Sequence, residues 1–127
     1  MEIINNAPHA PKPIGPYSQA VVANGFIFTA GQIALDPTSG KMIEGDVAAQ
    51  TAQVLQNLSS ILLFSGSGFD RVVMTTVFLT DISHGKVVNE LYGKVVSEIA
   101  PPARQTVAVK ELPMGALVEI SVIARTK

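Results

Sequence analysis

Two charged side chains stand in unexpected company. Arg104 follows Pro101-Pro102-Ala103 and leads into an apolar strand, and Glu119 sits alone within Leu117-Val118-Glu119-Ile120. A guanidinium is a planar fork that grips a small carboxylate through two parallel hydrogen bonds. A carboxylate inside an apolar strand either pairs with a cation or keeps a water and a proton for use. The two residues therefore fit a structural ion pair at a subunit interface and a functional site equally well. Tyr17, after Gly15-Pro16, divides in the same way. It is either a core aromatic with a satisfied hydroxyl or a donor facing a ligand.

Other chemistries find less support. His9 and His84 stand in different segments, without the HxxxH, HxH or HExxH spacing of a metal site. Asp36, Glu44 and Asp46 miss the alternating oxygen ligands and terminal Glu of a calcium loop, and turn and cap duties explain them. Gly66-Ser67-Gly68 follows a helix and reads as its stop, whereas a phosphate cradle joins a strand to a helix. There is no cysteine and no GxSxG elbow. None of the lysines lies in the apolar setting that would depress its pKa for Schiff-base chemistry. Covalent catalysis is disfavoured.

At 127 residues the chain fits one domain, spanning 1–127. Apolar residues make up 47% and charged residues 15%, which is charge-poor for a soluble protein, so either much of the chain is buried or some surface is covered by a partner. The nine Lys and Arg are scattered and the net charge is −1, which leaves no electrostatic footprint for nucleic acid or anionic membrane. No apolar run approaches the ~20 residues of a spanning helix. The N-terminus lacks the basic-then-apolar layout of a signal peptide, so a cytoplasmic location is expected. Without cysteine, disulfides are excluded.

The elements that must position these residues follow from periodicity. Prolines at 8, 11, 13 and 16 make residues 7–16 an ordered arm or loop leading into Tyr17. Asn24-Gly25 between two apolar runs predicts a hairpin with strands near 18–23 and 26–31. Asp36-Pro37-Thr38-Ser39-Gly40 is a turn. From Asp46 to about Ser65, apolar residues recur at helical spacing, with Asp46 as cap and Gly66 as terminator. Val72–Thr80 reads as a central strand buried on both sides. Val87, Val88, Leu91, Tyr92, Val95 and Ile99 form a second amphipathic helix, stopped by Pro101-Pro102. Strands at about 105–110 and 117–124 bring the placed strands to five, and the chain is read as βββαβαββ with its first strand left without bounds, an α+β domain with two helices on one face of a mixed sheet. In the last strand Val118, Ile120, Val122 and Ala124 suit the helix-covered face. The other face is too apolar for a monomer and predicts a homo-oligomer.

Read together, Gly15-Pro16-Tyr17-Ser18-Gln19-Ala20, Ala30-Gly31-Gln32-Ile33, Gly45-Asp46-Val47 with Gln50-Thr51, Val77-Phe78-Leu79-Thr80-Asp81, Pro102-Ala103-Arg104, Leu112-Pro113 and Leu117-Val118-Glu119-Ile120 resemble the Rid (RidA/YjgF) family of reactive intermediate deaminases. The likeness spans nearly the whole chain. It implies a chorismate-mutase-like fold and a homotrimer with clefts at subunit interfaces. It also implies cofactor-free hydrolysis of enamine and imine acids, such as 2-aminoacrylate and 2-aminocrotonate, released by pyridoxal-phosphate-dependent dehydratases. By the same resemblance Arg104 holds the substrate carboxylate, Glu119 attends the water and Tyr17 lines the cleft. Gly31 brings a backbone amide and Asn89 a polar contact, and Thr106 is counted with them among the substrate-binding residues. Thr106 stands where many relatives carry Cys, Ala30 where they carry Ser, and Gly85 where many carry an aromatic. Three rivals to a deaminase are a ligand-sensing module of the same fold, an RNA-cleaving translation inhibitor and a chaperone-like binder.

Overall fold

The computed structural model describes residues 1–127. Its principal elements are β1 (Glu2–Ile4), β2 (Ala20–Ala23), β3 (Phe26–Thr29), α1 (Val47–Phe64), β4 (Val72–Leu79), α2 (Gly85–Tyr92), β5 (Ala103–Ala108) and β6 (Val118–Arg125). This is the expected order. One six-stranded sheet runs β1-β2-β3-β6-β4-β5. Every pairing is antiparallel except β4 with β5.

Local chemistry fixes the element ends. Asn24 and Gly25 take φ of 50° and 80°, the left-handed pair that a two-residue hairpin needs, and join β2 to β3. The Asp46 carboxylate accepts from the Ala49 backbone N–H at 3.0 Å and so caps α1. Beyond Ser65, Gly66 turns the chain away at φ 79°. α1 then lays Val54, Leu55, Leu58, Ile61 and Leu62 against Val118, Ile120, Val122 and Ala124 of β6 and against Val77 and Leu79 of β4, all of them buried. Each large aliphatic side chain so buried contributes about 1.5–3 kcal/mol.

Strand alternation leaves the second sheet face uncovered. Ile27 is fully buried while its neighbours Phe26 and Phe28 are 38% and 43% exposed, and Ile3 and Val107 are exposed as well. The predicted apolar second face is therefore present.

Two expectations need correction. The second helix ends at Tyr92 and does not reach Ile99, which is 97% exposed. After Gly93 the bonds shorten to Lys94 N–H on Leu91 O and Val95 N–H on Tyr92 O, a winding-down of single turns in which the Val95 and Ile99 spacing has no core to meet. β5 begins two residues before the expected 105, because Ala103 and Arg104 already pair with Met74 and Thr75.

Candidate active site

A break in the ladder between β3 and β6 shapes the surroundings of Glu119. Phe28 pairs with Ile123, and further on Gln32 bridges Ile120, so Thr29, Ala30 and Gly31 face only Ser121 and Val122. This is a β-bulge. The Thr29 hydroxyl bonds both backbone groups of Val122, accepting from N–H at 3.0 Å and donating to C=O at 3.3 Å. Backbone bonds between Gln32 and Ile120, at 2.8 and 3.1 Å, close the far side. The bulge presses Gly31 onto Glu119 so closely that a Cβ there would lie 2.9 Å from the carboxyl carbon and 3.0 Å from Oε2. Only glycine leaves the carboxyl where it is.

Glu119 lines a cavity of about 240 Å³ with Tyr17, Gly31, Ala30, Ile33 and Pro113. Burial among these groups raises its pKa above the usual carboxylate value. The Tyr17 hydroxyl accepts from the Ile14 N–H at 3.3 Å, which leaves its own proton free to donate into the cavity. The proline arm carrying Tyr17 is ordered by Gln19, which is itself buried. Its side-chain oxygen accepts from Ala7 N–H at 2.9 Å and its amide donates to Pro11 O at 3.0 Å.

Arg104 stands elsewhere. It lines a wider cavity of about 520 Å³ with Asn89 and Tyr92 of α2 and the turn residues Ser97, Pro101 and Pro102. Its guanidinium carbon lies over the Tyr92 ring, 5.1 Å from the centroid. Asn89 and Tyr92, three residues apart on α2, share the helix face that looks into this cavity. Tyr92 is buried, and its hydroxyl bonds the Thr75 hydroxyl at 2.7 Å. Burial raises the Tyr92 pKa and keeps the phenol neutral. Thr106 follows Arg104 by two residues on the same side of β5 but is not among the residues lining the cavity.

The sheet register separates the two cavities. Arg104 pairs with Thr75, whose side chain faces the helices, whereas Glu119 pairs with Phe78 on the opposite parity of β4. With their side chains on opposite faces of the sheet, the alternative ion pair between Arg104 and Glu119 does not form within one chain. The structure brings Tyr17, Gly31 and Glu119 together and brings Arg104 and Asn89 together, and it does not join the two groups in one chain. Tyr92, Thr75 and Thr29 were read from sequence only as helix or strand residues. Spacing gives a signal for Tyr92 alone, since it lies one turn beyond Asn89. A third, apolar groove of about 360 Å³ between the helices includes Leu55, Phe69 and Leu91 and carries no acid–base group apart from Lys94.

Residues 7–126 match the family model described as Endoribonuclease L-PSP. A RutC family protein of Synechocystis is 52% identical over 125 residues, 98% of this chain and 95% of that protein. The chloroplastic Reactive Intermediate Deaminase A of Arabidopsis thaliana is 46% identical over 116 residues, 91% of this chain and 61% of that protein. Among solved structures, E. coli TdcF with bound serine covers 100% of both chains at 32% identity and a TM-score of 0.89. The chain belongs to the Rid family, also called YjgF, L-PSP or RutC. Its α+β sheet with two helices is the chorismate-mutase-like fold of that family, and some of the family's members are reactive intermediate deaminases. No helix is long and apolar enough to cross a membrane.

Proposed function

We propose that the protein is a 2-iminobutanoate/2-iminopropanoate deaminase. It hydrolyses enamine and imine acids, such as 2-aminoacrylate and 2-aminocrotonate, to 2-keto acids and ammonia. The observation that carries this reading is the division of labour between the half-sites. One offers a cation with no carboxylate partner in its own chain, and the other offers a carboxyl with a raised pKa beside a free hydroxyl proton. Serine, the molecule bound to the related TdcF, carries the same α-carboxylate as these substrates.

Completion of the site requires a second copy. The apolar second sheet face supplies a surface for it, and we read the assembly as a homotrimer with a cleft at each interface. Arg104 of one copy then grips the substrate carboxylate, with Asn89 beside it. Across the interface Glu119 takes a proton from water as the oxygen attacks the imine carbon. Glu119 passes this proton to nitrogen to give the neutral carbinolamine; the hydroxyl proton then moves by way of Glu119 to the same nitrogen, the C–N bond breaks as the oxygen becomes the keto carbonyl, and ammonia leaves. Tyr17 donates to the developing polar centre and the Gly31 backbone borders it. The enamine tautomerises before attack, so holding, hydration and proton transfer suffice, and no cofactor is required. Dehydratases that use pyridoxal phosphate are the enzymes that release such acids, and they are the functional partners in this reading.

The test is the lifetime of 2-aminoacrylate released by a serine/threonine dehydratase. Purified protein is expected to shorten it and to release ammonia, and an unchanged lifetime would overturn the assignment. The family description names an endoribonuclease, yet a net charge of −1 without a basic stripe offers little for a phosphate backbone. Salt-sensitive RNA binding by homogeneous protein would favour that activity. Keto-acid binding without turnover would favour a sensor.

A further inference from the structure

We propose that Tyr92 is a positioning residue for the reaction, its ring setting the Arg104 guanidinium as the carboxylate anchor. The inference rests on the reading of Arg104 as that anchor. An arginine on an edge strand has four rotatable bonds and, at an exposed position, little to choose among their rotamers. Arg104 is such a residue, exposed on β5 at the edge of the sheet. What limits it is the Tyr92 face, 5.1 Å from the guanidinium carbon. A ring face attracts the cation through its quadrupole and occupies none of the five N–H donors, so the whole fork stays available to a ligand. An aspartate or glutamate in the same place would hold the arginine by taking the donors that the substrate needs.

The ring is itself held. Thr75 lies directly beside Arg104 across the parallel β4–β5 pairing, and its hydroxyl bonds the Tyr92 hydroxyl at 2.7 Å. Tyr92 is the last residue of α2, so the helix end, the strand centre and the strand edge meet at one aromatic ring. Asn89 comes to the same cavity from one turn earlier. Thr75, Tyr92 and Arg104 thus form a short chain from the sheet interior to the substrate carboxylate.

The experiment replaces Tyr92 by phenylalanine and then by mono-, di- and trifluorinated phenylalanines, which keep the shape and progressively weaken the quadrupole. The probe is 2-iminopropanoate generated in situ. Tyr92→Phe is expected to stay within about threefold of the parent, because it retains the ring face. KM should then climb stepwise by about tenfold across the series, with kcat and melting temperature steady. Thr75→Val should raise KM by about threefold through its loss of the tether. The same series in an Arg104→Ala background should show no trend, since the ring acts through the arginine. A flat series in a protein whose Arg104→Ala variant keeps only about a hundredth of its kcat/KM overturns the role of Tyr92 and leaves the anchor reading standing, as does a trend that persists in that residual activity without the arginine. A fully active Arg104→Ala overturns the anchor reading, and the proposal with it.

Discussion

The Glu119 carboxyl lies against the Gly31 backbone with no room for a methyl group between them, since a Cβ at 31 would sit 2.9 Å from its carbon. Gly31 does not have the positive φ that would make alanine strained in itself, so the damage of a substitution falls on the carboxyl. Gly31→Ala is expected to lower kcat about 10–100-fold through misplacement on the ångström scale. Its melting temperature should stay close to that of the parent. Equal losses of stability and activity would show that the bulge itself had collapsed.

Arg104 should tolerate loss better in stability than in function. It is exposed, so Arg104→Ala should change unfolding free energy by less than about 1 kcal/mol. Loss of a charge-assisted fork should reduce kcat/KM about 100-fold. Arg104→Lys keeps the charge but neither the fork nor the flat face for Tyr92, and should recover no more than about a tenth of the parental value. Parallel unfolding curves and steady-state kinetics check both halves.

The pH dependence of Glu119 carries a defined sign. Burial raises its folded pKa above the ordinary 4.5, so the folded chain binds this proton more tightly than the unfolded chain does. The associated stability is fully present below the unfolded value and is lost as pH rises through the folded one. Glu119→Gln should therefore melt higher than the parent near pH 8, with the advantage gone near pH 4. Activity runs the other way, because only the ionised carboxylate can take the proton of water. The acid limb of kcat/KM should lie above the usual carboxylate range, and it should vanish in Glu119→Gln together with about 100-fold or more of the rate.

A mixing experiment addresses the separation of the halves. Arg104→Ala and Glu119→Gln chains, each nearly inactive alone, should regain activity when unfolded and refolded together. If each site takes Arg104 from one copy and Glu119 from another, random assembly of equal amounts restores about a quarter of the sites. No recovery would mean that one chain supplies both residues.

Much of this was legible in the sequence, for identifiable reasons. Asn24-Gly25 has few stable alternatives to a hairpin, and Val118, Ile120, Val122 and Ala124 mark one strand face because their alternation is uninterrupted. The second helix was overextended because Val95 and Ile99 continue its spacing, and periodicity carries no information on whether a core waits there. Arg104 and Glu119 stood out as charges in apolar company. Their placement on opposite faces depends on the pairing of β5 and β6 with β4, a non-local register that local patterns do not encode. The bulge at residues 29–31 was equally hidden, since it is a mismatch between two strands far apart in sequence. Tyr92 looked like any aromatic on the apolar face of a helix, and it is buried as such, yet one side of its ring faces a cation.

The placement of Arg104 and Glu119 on opposite sheet faces bears on how activity would scale with protein abundance. If a lone chain holds only unmatched halves, dilution removes sites as well as copies. Specific activity should then fall once the concentration drops below the dissociation constant of the assembly, following mass action. Expression level would set both the number of sites and the fraction that exist at all, giving the response to reactive acids a threshold that a self-contained monomer would lack.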